Sequence, residues 1–312
     1  MPYTPPCTML KPTPWAPLAY PIHNIADHKM VALPGGQFVM GGPGFDDAKP
    51  HWVKLSPFCM ATTTVTEGRF YGVTGRYGNQ NAPAYHPATE VSWHDGHEYI
   101  ERCNREYGTK IGYPTEAEWE YAARGPVMDV REFMEKRGMT SAQFLEWLHD
   151  GKRLENFVTQ LQAGVDIHND PEKVKNLLEG GQPLWAWHVY GSATGALNHD
   201  EVWFDQKGAA PVSWGPPNGF GLFGMSGGVW EWVGDFYKGD FYELNRDPKT
   251  QTRQDPVNIT EGRFRGLRGG SWFNYVPDFL RAACRYDCAR PGYRNYDFGF
   301  RVASSVPQDS SV

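Results

Sequence analysis

Cys284 and Cys288 stand four residues apart, a spacing at which two thiols can share a soft metal ion or oxidise together. The other three cysteines, Cys7, Cys59 and Cys103, are scattered, and the odd total leaves at least one thiol unpaired. A disulfide framework is therefore not expected, and Cys284 and Cys288 read as unpaired small side chains on a surface. His23, His28, His94 and His97 read as surface or satisfied core residues rather than ligands. Glu231 lies between Trp230 and Trp232, so its carboxylate is hemmed in by rings and needs a cationic partner. The segment 273–297 offers a different chemistry, that of binding. Phe, Tyr, Asn and Asp alternate there with Arg281, Arg285 and Arg294, and Arg301 follows. Tyr and Phe give large contact area for two rotatable bonds, and Asn and Asp give adaptable hydrogen bonding, the composition of an antibody paratope. Each arginine can brace loop carbonyls and carboxylates with several donors.

These groups need a scaffold. The 312 residues carry 30 Lys+Arg against 36 Asp+Glu, a net charge of -6 that argues against tracking nucleic-acid phosphates. There are 12 Trp, 35 Gly and 25 Pro, which point to a loop-rich fold whose core is filled by rings. No run of 18 apolar residues is present, so membrane insertion is not expected. Residues 1–28 read as a Pro-rich extended arm without the basic start and apolar stretch of a secretory signal, which makes the cytoplasm or a virion the expected location. Val31–Gly41 reads as two short strands around a Pro-Gly-Gly turn, and His51–Leu55 as an alternating, half-buried strand. Thr66 is placed to cap a short helix. A second helix is expected over Gly96–Glu106, with Tyr99, Ile100 and Cys103 on one face. Thr115 and Glu118 form a capping box that opens a third, and Gly125 is placed to stop it. Residues 127–181 are richer in charge and helix formers, and read as a helical insertion that packs a small subdomain or docks a second protein. Residues 305–312 read as a polar, disordered tail.

The GGQFVMG, PTEAEWEYAARG, PNGFGLFGMSGGVWEW, LRGGSW and GFRVA stretches, in this order, resemble the formylglycine-generating-enzyme (sulfatase-modifying factor) domain family. The resemblance implies an α+β, C-type lectin-like fold of the formylglycine-generating-enzyme type, irregular and loop-rich, over 29–304 and interrupted by the helical insertion. It also implies three classes of activity, which residue chemistry separates. The copper oxidase of the family carries two thiolates shortly after its GGS[YW] motif, whereas Phe273–Phe279 holds no cysteine, and Cys284 and Cys288 lie beyond those positions. The sulfoxide synthases hold iron with a histidine cluster in a large helical domain ahead of this one, a pattern these histidines do not show. In the family's G-N-V-W-E-W motif an Asn helps to bind calcium. Gly228 replaces it here and removes a hard oxygen ligand, so no metal or cofactor is expected and Glu231 is read as a salt-bridged core carboxylate.

The third class, the variable proteins of diversity-generating retroelements, is the one this chain most resembles. In these systems an error-prone reverse transcriptase rewrites template adenines, chiefly in AAC codons, whose products exclude Trp, Met, Lys, Gln and Glu. Those five types number 61 of 312 residues, so about six are expected by composition between Phe273 and Arg301, and none occurs. The resemblance marks Phe273, Asn274, Tyr275, Phe279, Cys284, Tyr286, Asp287, Cys288, Tyr293, Asn295, Tyr296 and Asp297 as a variable face for an unknown protein ligand. The fixed frame has Trp272, Leu280, Ala282, Ala283 and Phe300 as core anchors, with Arg281, Arg285, Arg294 and Arg301 as braces. Two other readings remain open: the rings fill a core, or the chain is an enzyme of the family with a non-standard active site.

Overall fold

Two residues with left-handed backbone, Ala26 at φ 48° and Asp27 at φ 59°, make a tight turn that folds strand β1 (Ile22–Ile25) back onto β2 (His28–Leu33). The computed structural model describes residues 20–42, 45–124, 143, 208–214, 217–218, 220–243, 252–274, 277–286 and 289–306. The insertion expected over 127–181 lies outside the described residues except for Gln143, as do Gly125 and most of the tail. Strand β1 belongs to the stretch read as an extended arm, so residues seven positions ahead of the expected start of the domain are already paired.

The described residues form three small sheets. Strands β1, β2, β5 (Phe58–Ala61) and β10 (Ala303–Ser305) form one antiparallel sheet in the order β1-β2-β5-β10. The second holds β3 (Gly36–Met40), β4 (His51–Leu55) and β7 (Thr252–Gln254), with β4 and β7 parallel. In the third, β6 (Trp230–Phe236) is central, antiparallel to β8 (Arg265–Arg268) and parallel to β9 (Phe298–Phe300).

The two strands expected around Pro34-Gly35-Gly36 form, but not as a hairpin: β2 pairs with β5 and β3 pairs with β4, in different sheets. Gly35 makes the switch possible. Its φ is +68°, and a Cβ there would stand 2.4 Å from the Leu55 carbonyl oxygen, a conformation and an approach open only to glycine. Strand β4 is buried except at Lys54 rather than alternating, because β3 and β7 flank it and Val53 and Leu55 enter the core.

The helices follow their caps. The Thr66 hydroxyl accepts the Arg69 N–H at 3.2 Å and starts α1 (Glu67–Thr74). Helix α2 (Trp93–Tyr107) begins three residues earlier than expected, because Ser92 and Asp95 form a reciprocal capping box. Tyr99, Ile100 and Cys103 do share its buried face. Ahead of α3 (Glu116–Arg124) the Thr115 hydroxyl accepts the Glu118 N–H at 3.0 Å, and the Glu118 carboxylate accepts the Thr115 N–H at 2.8 Å. The core is aromatic: Trp119, Trp230, Trp232, Phe38, Phe70, Phe298 and Phe300 are all buried.

Since α3 carries two of the buried charge partners described below, Glu116 and Glu120, its cap is a sensitive point. Thr115→Ala should lower stability by about 1 kcal/mol in urea unfolding, the usual cost of a lost cap. An unchanged midpoint would show that packing alone sets the start of α3.

Candidate ligand-binding face

Strand β6 places Glu231 inside the third sheet, where it has no solvent exposure. Its two oxygens accept Nε and Nη2 of Arg301 at 2.6 Å each, and the Trp119 indole N–H adds a third bond at 2.9 Å. Arg301 also donates to the carbonyls of Ala61 (3.2 Å) and Phe223 (2.8 Å). A buried ion pair is tolerable only when such bonds satisfy both partners.

The same device recurs along the segment that leads to β9. Arg268 forms an ion pair with Glu120 and donates to the carbonyls of Ala282 (3.0 Å), Ala283 (3.2 Å) and Cys284 (2.9 Å). Arg285 bonds Glu116 through Nε at 2.9 Å and the Asp47 carbonyl at 2.8 Å, with its guanidinium against the Tyr237 and Tyr242 rings. Arg294 makes a two-point contact with Asp95 (2.6 and 2.8 Å), which also caps α2 and binds Arg76. Burial alone would raise the Asp95 carboxyl, but bonds from Arg294, Ser92 and Arg76 hold it well below the usual carboxylate range. Arg281 is buried with its guanidinium 4.4 Å from the centre of the Phe45 ring.

Between these anchors the rings emerge. Phe273 is 52% exposed, Tyr293 51%, Phe279 42% and Tyr296 40%. Phe273, Tyr296 and half-buried Trp272 form a mutually inclined triad with ring centres 5.3–5.6 Å apart. Phe279 leans edge-on against Trp230, and Tyr293 against Phe298. Asn274 is half-buried and accepts the Ser271 N–H at 2.7 Å. Half-buried Asn295 takes the Glu90 N–H on its carbonyl at 2.9 Å and the Tyr296 N–H on its side chain at 3.1 Å.

Four sequence expectations need correction. Cys284 is buried in the core rather than displayed, because Arg268 draws its carbonyl inward and its N–H bonds the Arg281 carbonyl at 2.9 Å. Tyr286 is half-buried, its N–H bonded to the Leu267 carbonyl and its ring packed on Trp230 and Phe298. Asp297 is buried: its carbonyl accepts the Trp230 N–H at 2.8 Å and its carboxylate accepts the Ser271 hydroxyl at 2.7 Å. Burial pushes that carboxyl up. Trp272 belongs to the surface triad rather than to the core anchors. Tyr275, Asp287 and Cys288 lie outside the described residues. Among the described residues no cluster of three or more His, Cys, Asp or Glu has metal-binding geometry, and no helix is long and apolar enough to cross a membrane.

Sequence reasoning missed the buried carboxylates Glu116, Glu120 and Asp235. The first two lie in PTEAEWEYAARG, at positions that read there only as helix formers. Asp235 accepts the N–H groups of Glu116 (2.9 Å) and Asn258 (2.8 Å). Burial, and then the Glu116 carboxylate, push Asp235 up to about 7.

Residues 21–306 match the sulfatase-modifying factor enzyme 1-like domain, and the chain belongs to this family, with the C-type lectin-like fold of the formylglycine-generating-enzyme type. It is 26% identical to the formylglycine-generating enzyme of Thermomonospora curvata, over 88% of this chain and 93% of that one. It is 38% identical to the serine/threonine-protein kinase Pkn1 of Chlamydia trachomatis over 89% of this chain, which is 38% of that protein's length. Among solved structures, Treponema denticola variable protein 1 superposes with a TM-score of 0.60 at 18% identity, covering 92% of this chain and 99% of that one.

Two predictions follow from the buried charges. Arg301→Ala strands Glu231 without its cation and should cost about 3–5 kcal/mol in chemical unfolding. Asp235 is protonated up to about 7 in the fold but only to about 3.9 when unfolded. Its contribution to stability is therefore complete below about 3.9 and lost as pH rises through about 7. The stability difference between the native chain and Asp235→Asn, measured in urea at pH 5 and pH 8, should shift against the native chain at the higher pH.

Proposed function

We propose that the chain is a ligand-binding variable protein of a diversity-generating retroelement, taking a protein ligand through the rings that emerge between Phe273 and Tyr296. The observation that carries this reading is the separation of display from support. Phe273, Phe279, Tyr293 and Tyr296 stand out on loops whose course is held by buried contacts of Arg268, Arg285 and Arg301, side chains that are not themselves displayed. Aromatic side chains of this kind commonly carry interface energy. The fold shared with the Treponema variable protein supports the reading, as does the complete lack of Trp, Met, Lys, Gln and Glu from Phe273 to Arg301. The enzyme reading is favoured by the identity to the T. curvata enzyme over most of both chains. Against it stands Phe273–Phe279, which carries no thiol for copper.

The reading has a genetic and a physical test. The source genome should hold a near-copy of the coding sequence for 273–297, differing at adenines, beside a reverse transcriptase gene. A chain with Phe273, Phe279, Tyr293 and Tyr296 all replaced by serine should lose less than about 2 kcal/mol, since exposed substitutions each stay within about 0.5 kcal/mol. A loss of about 3 kcal/mol or more per ring would instead show that they fill a core. Copper-dependent oxidation of a cysteine peptide by the native chain would establish the enzyme.

A further inference from the structure

Two buried polar atoms beneath the displayed rings have no hydrogen-bond partner among the described residues: Oδ1 of Asp297 and the indole N–H of Trp272. Asp297 is 4% exposed, and its other oxygen accepts the Ser271 hydroxyl at 2.7 Å. That hydroxyl has a single hydrogen and is spent on this bond. Burial pushes the Asp297 carboxyl up, and only the Ser271 hydroxyl and a backbone N–H oppose the shift, so no cation among the described residues pairs with it. Trp272 follows Ser271, and its ring centre lies 5.6 Å from that of Tyr296, the residue before Asp297. The two unmet atoms therefore lie where the turn 271–274 packs against 295–297, a junction closed by the Ser271–Asp297 bond. Phe273 and Tyr296 flank it with their ring centres 5.3 Å apart, and both rings are exposed.

We propose that this junction is a subsite for a primary carboxamide, the head of an Asn or Gln side chain of the protein ligand, which enters as the Phe273 and Tyr296 rings turn aside. The proposal rests on the display reading for its ligand, but the two unmet atoms belong to Trp272 and Asp297, outside the four displayed rings. One of these atoms is a donor and the other an acceptor. A carboxamide carries the complementary pair on one carbon: its oxygen accepts the indole N–H, and its nitrogen donates to Oδ1. A Lys or Arg head offers donors alone and leaves the indole hydrogen unmet, and an apolar side chain leaves both unmet. Each buried polar group left unmet keeps its full desolvation cost, so the match of donor to acceptor selects the guest. Exchange of the residues at 273 and 296 alters access to the subsite, while Trp272 and Asp297 set its chemistry.

The test uses the full chain and three probes of equal size: propionamide, which accepts and donates, butanone, which only accepts, and butylammonium, which only donates. In 1H–15N spectra propionamide should give saturable shifts at the Trp272 indole and the Ser271 amide, with the other two probes about tenfold weaker. Trp272→Phe keeps a ring and removes the donor, and should weaken propionamide by a similar factor, read at the Ser271 amide. Asp297→Ala should do the same, and Trp272→Phe serves alone if that variant does not fold. The subsite is overturned by the lack of saturable propionamide shifts, by equal affinity in the variants, or by equal binding of butanone or butylammonium. Contact of the indole hydrogen with water that propionamide does not displace assigns the place to a water molecule and overturns it too. Propionamide binding without a template copy in the genome would remove the display reading and leave the subsite standing, so the two failures are separately visible.

Discussion

The fold turns on one buried ion pair, Glu231 with Arg301. Glu231 sits in the middle strand of the third sheet, and Arg301 follows the strand parallel to it. Together with the Trp119 indole they connect α3, β6 and the end of β9 at a point without water. Neither charge is tolerable there alone, and Arg301 also holds the carbonyls of Ala61 and Phe223. Five parts of the chain are thus brought to one site by a single pair of side chains. Among the described residues the strands run only three to seven residues, so regular pairing does little of this instead.

That constraint explains how a surface of large rings is kept separate from what holds it up. Backbone carbonyls in the loops before β9 are satisfied by guanidinium groups inside the protein, so the path of the chain is set from beneath. Arg268 reaches three successive carbonyls, from Ala282 to Cys284, and Arg285 reaches the Glu116 carboxylate on α3, while Arg294 clamps Asp95 of α2 from the surface.

Much of this was legible in the residues. The Thr115–Glu118 box, the Thr66 cap and the buried face of α2 follow from local rules that tertiary contacts did not override. Glu231 announced its need for a partner by lying between two tryptophans. What was not legible depends on pairing between distant parts of the chain. Gly35 was read as a hairpin turn, yet its closeness to Leu55 sends β2 and β3 into different sheets. Cys284, Tyr286 and Asp297 have the residue types of a displayed face, but Leu267, Arg268 and Trp230 draw their backbones inward. Residue type reports what a side chain is able to do on a surface, and only the main-chain bonds decide whether it reaches one.

The sheet formed by β1, β2, β5 and β10 has a consequence for biosynthesis. Strand β10 pairs with β5, so Ala303 lies opposite Met60, and Arg301 reaches back to Ala61 across 240 positions. A nascent chain must therefore wait, with its first sheet missing β10 and Glu231 missing its cation, until Arg301 and Ala303–Ser305 have been made. Contacts this distant slow folding. A chain interrupted anywhere before Arg301 lacks the cation that Glu231 needs and the strand that flanks β5.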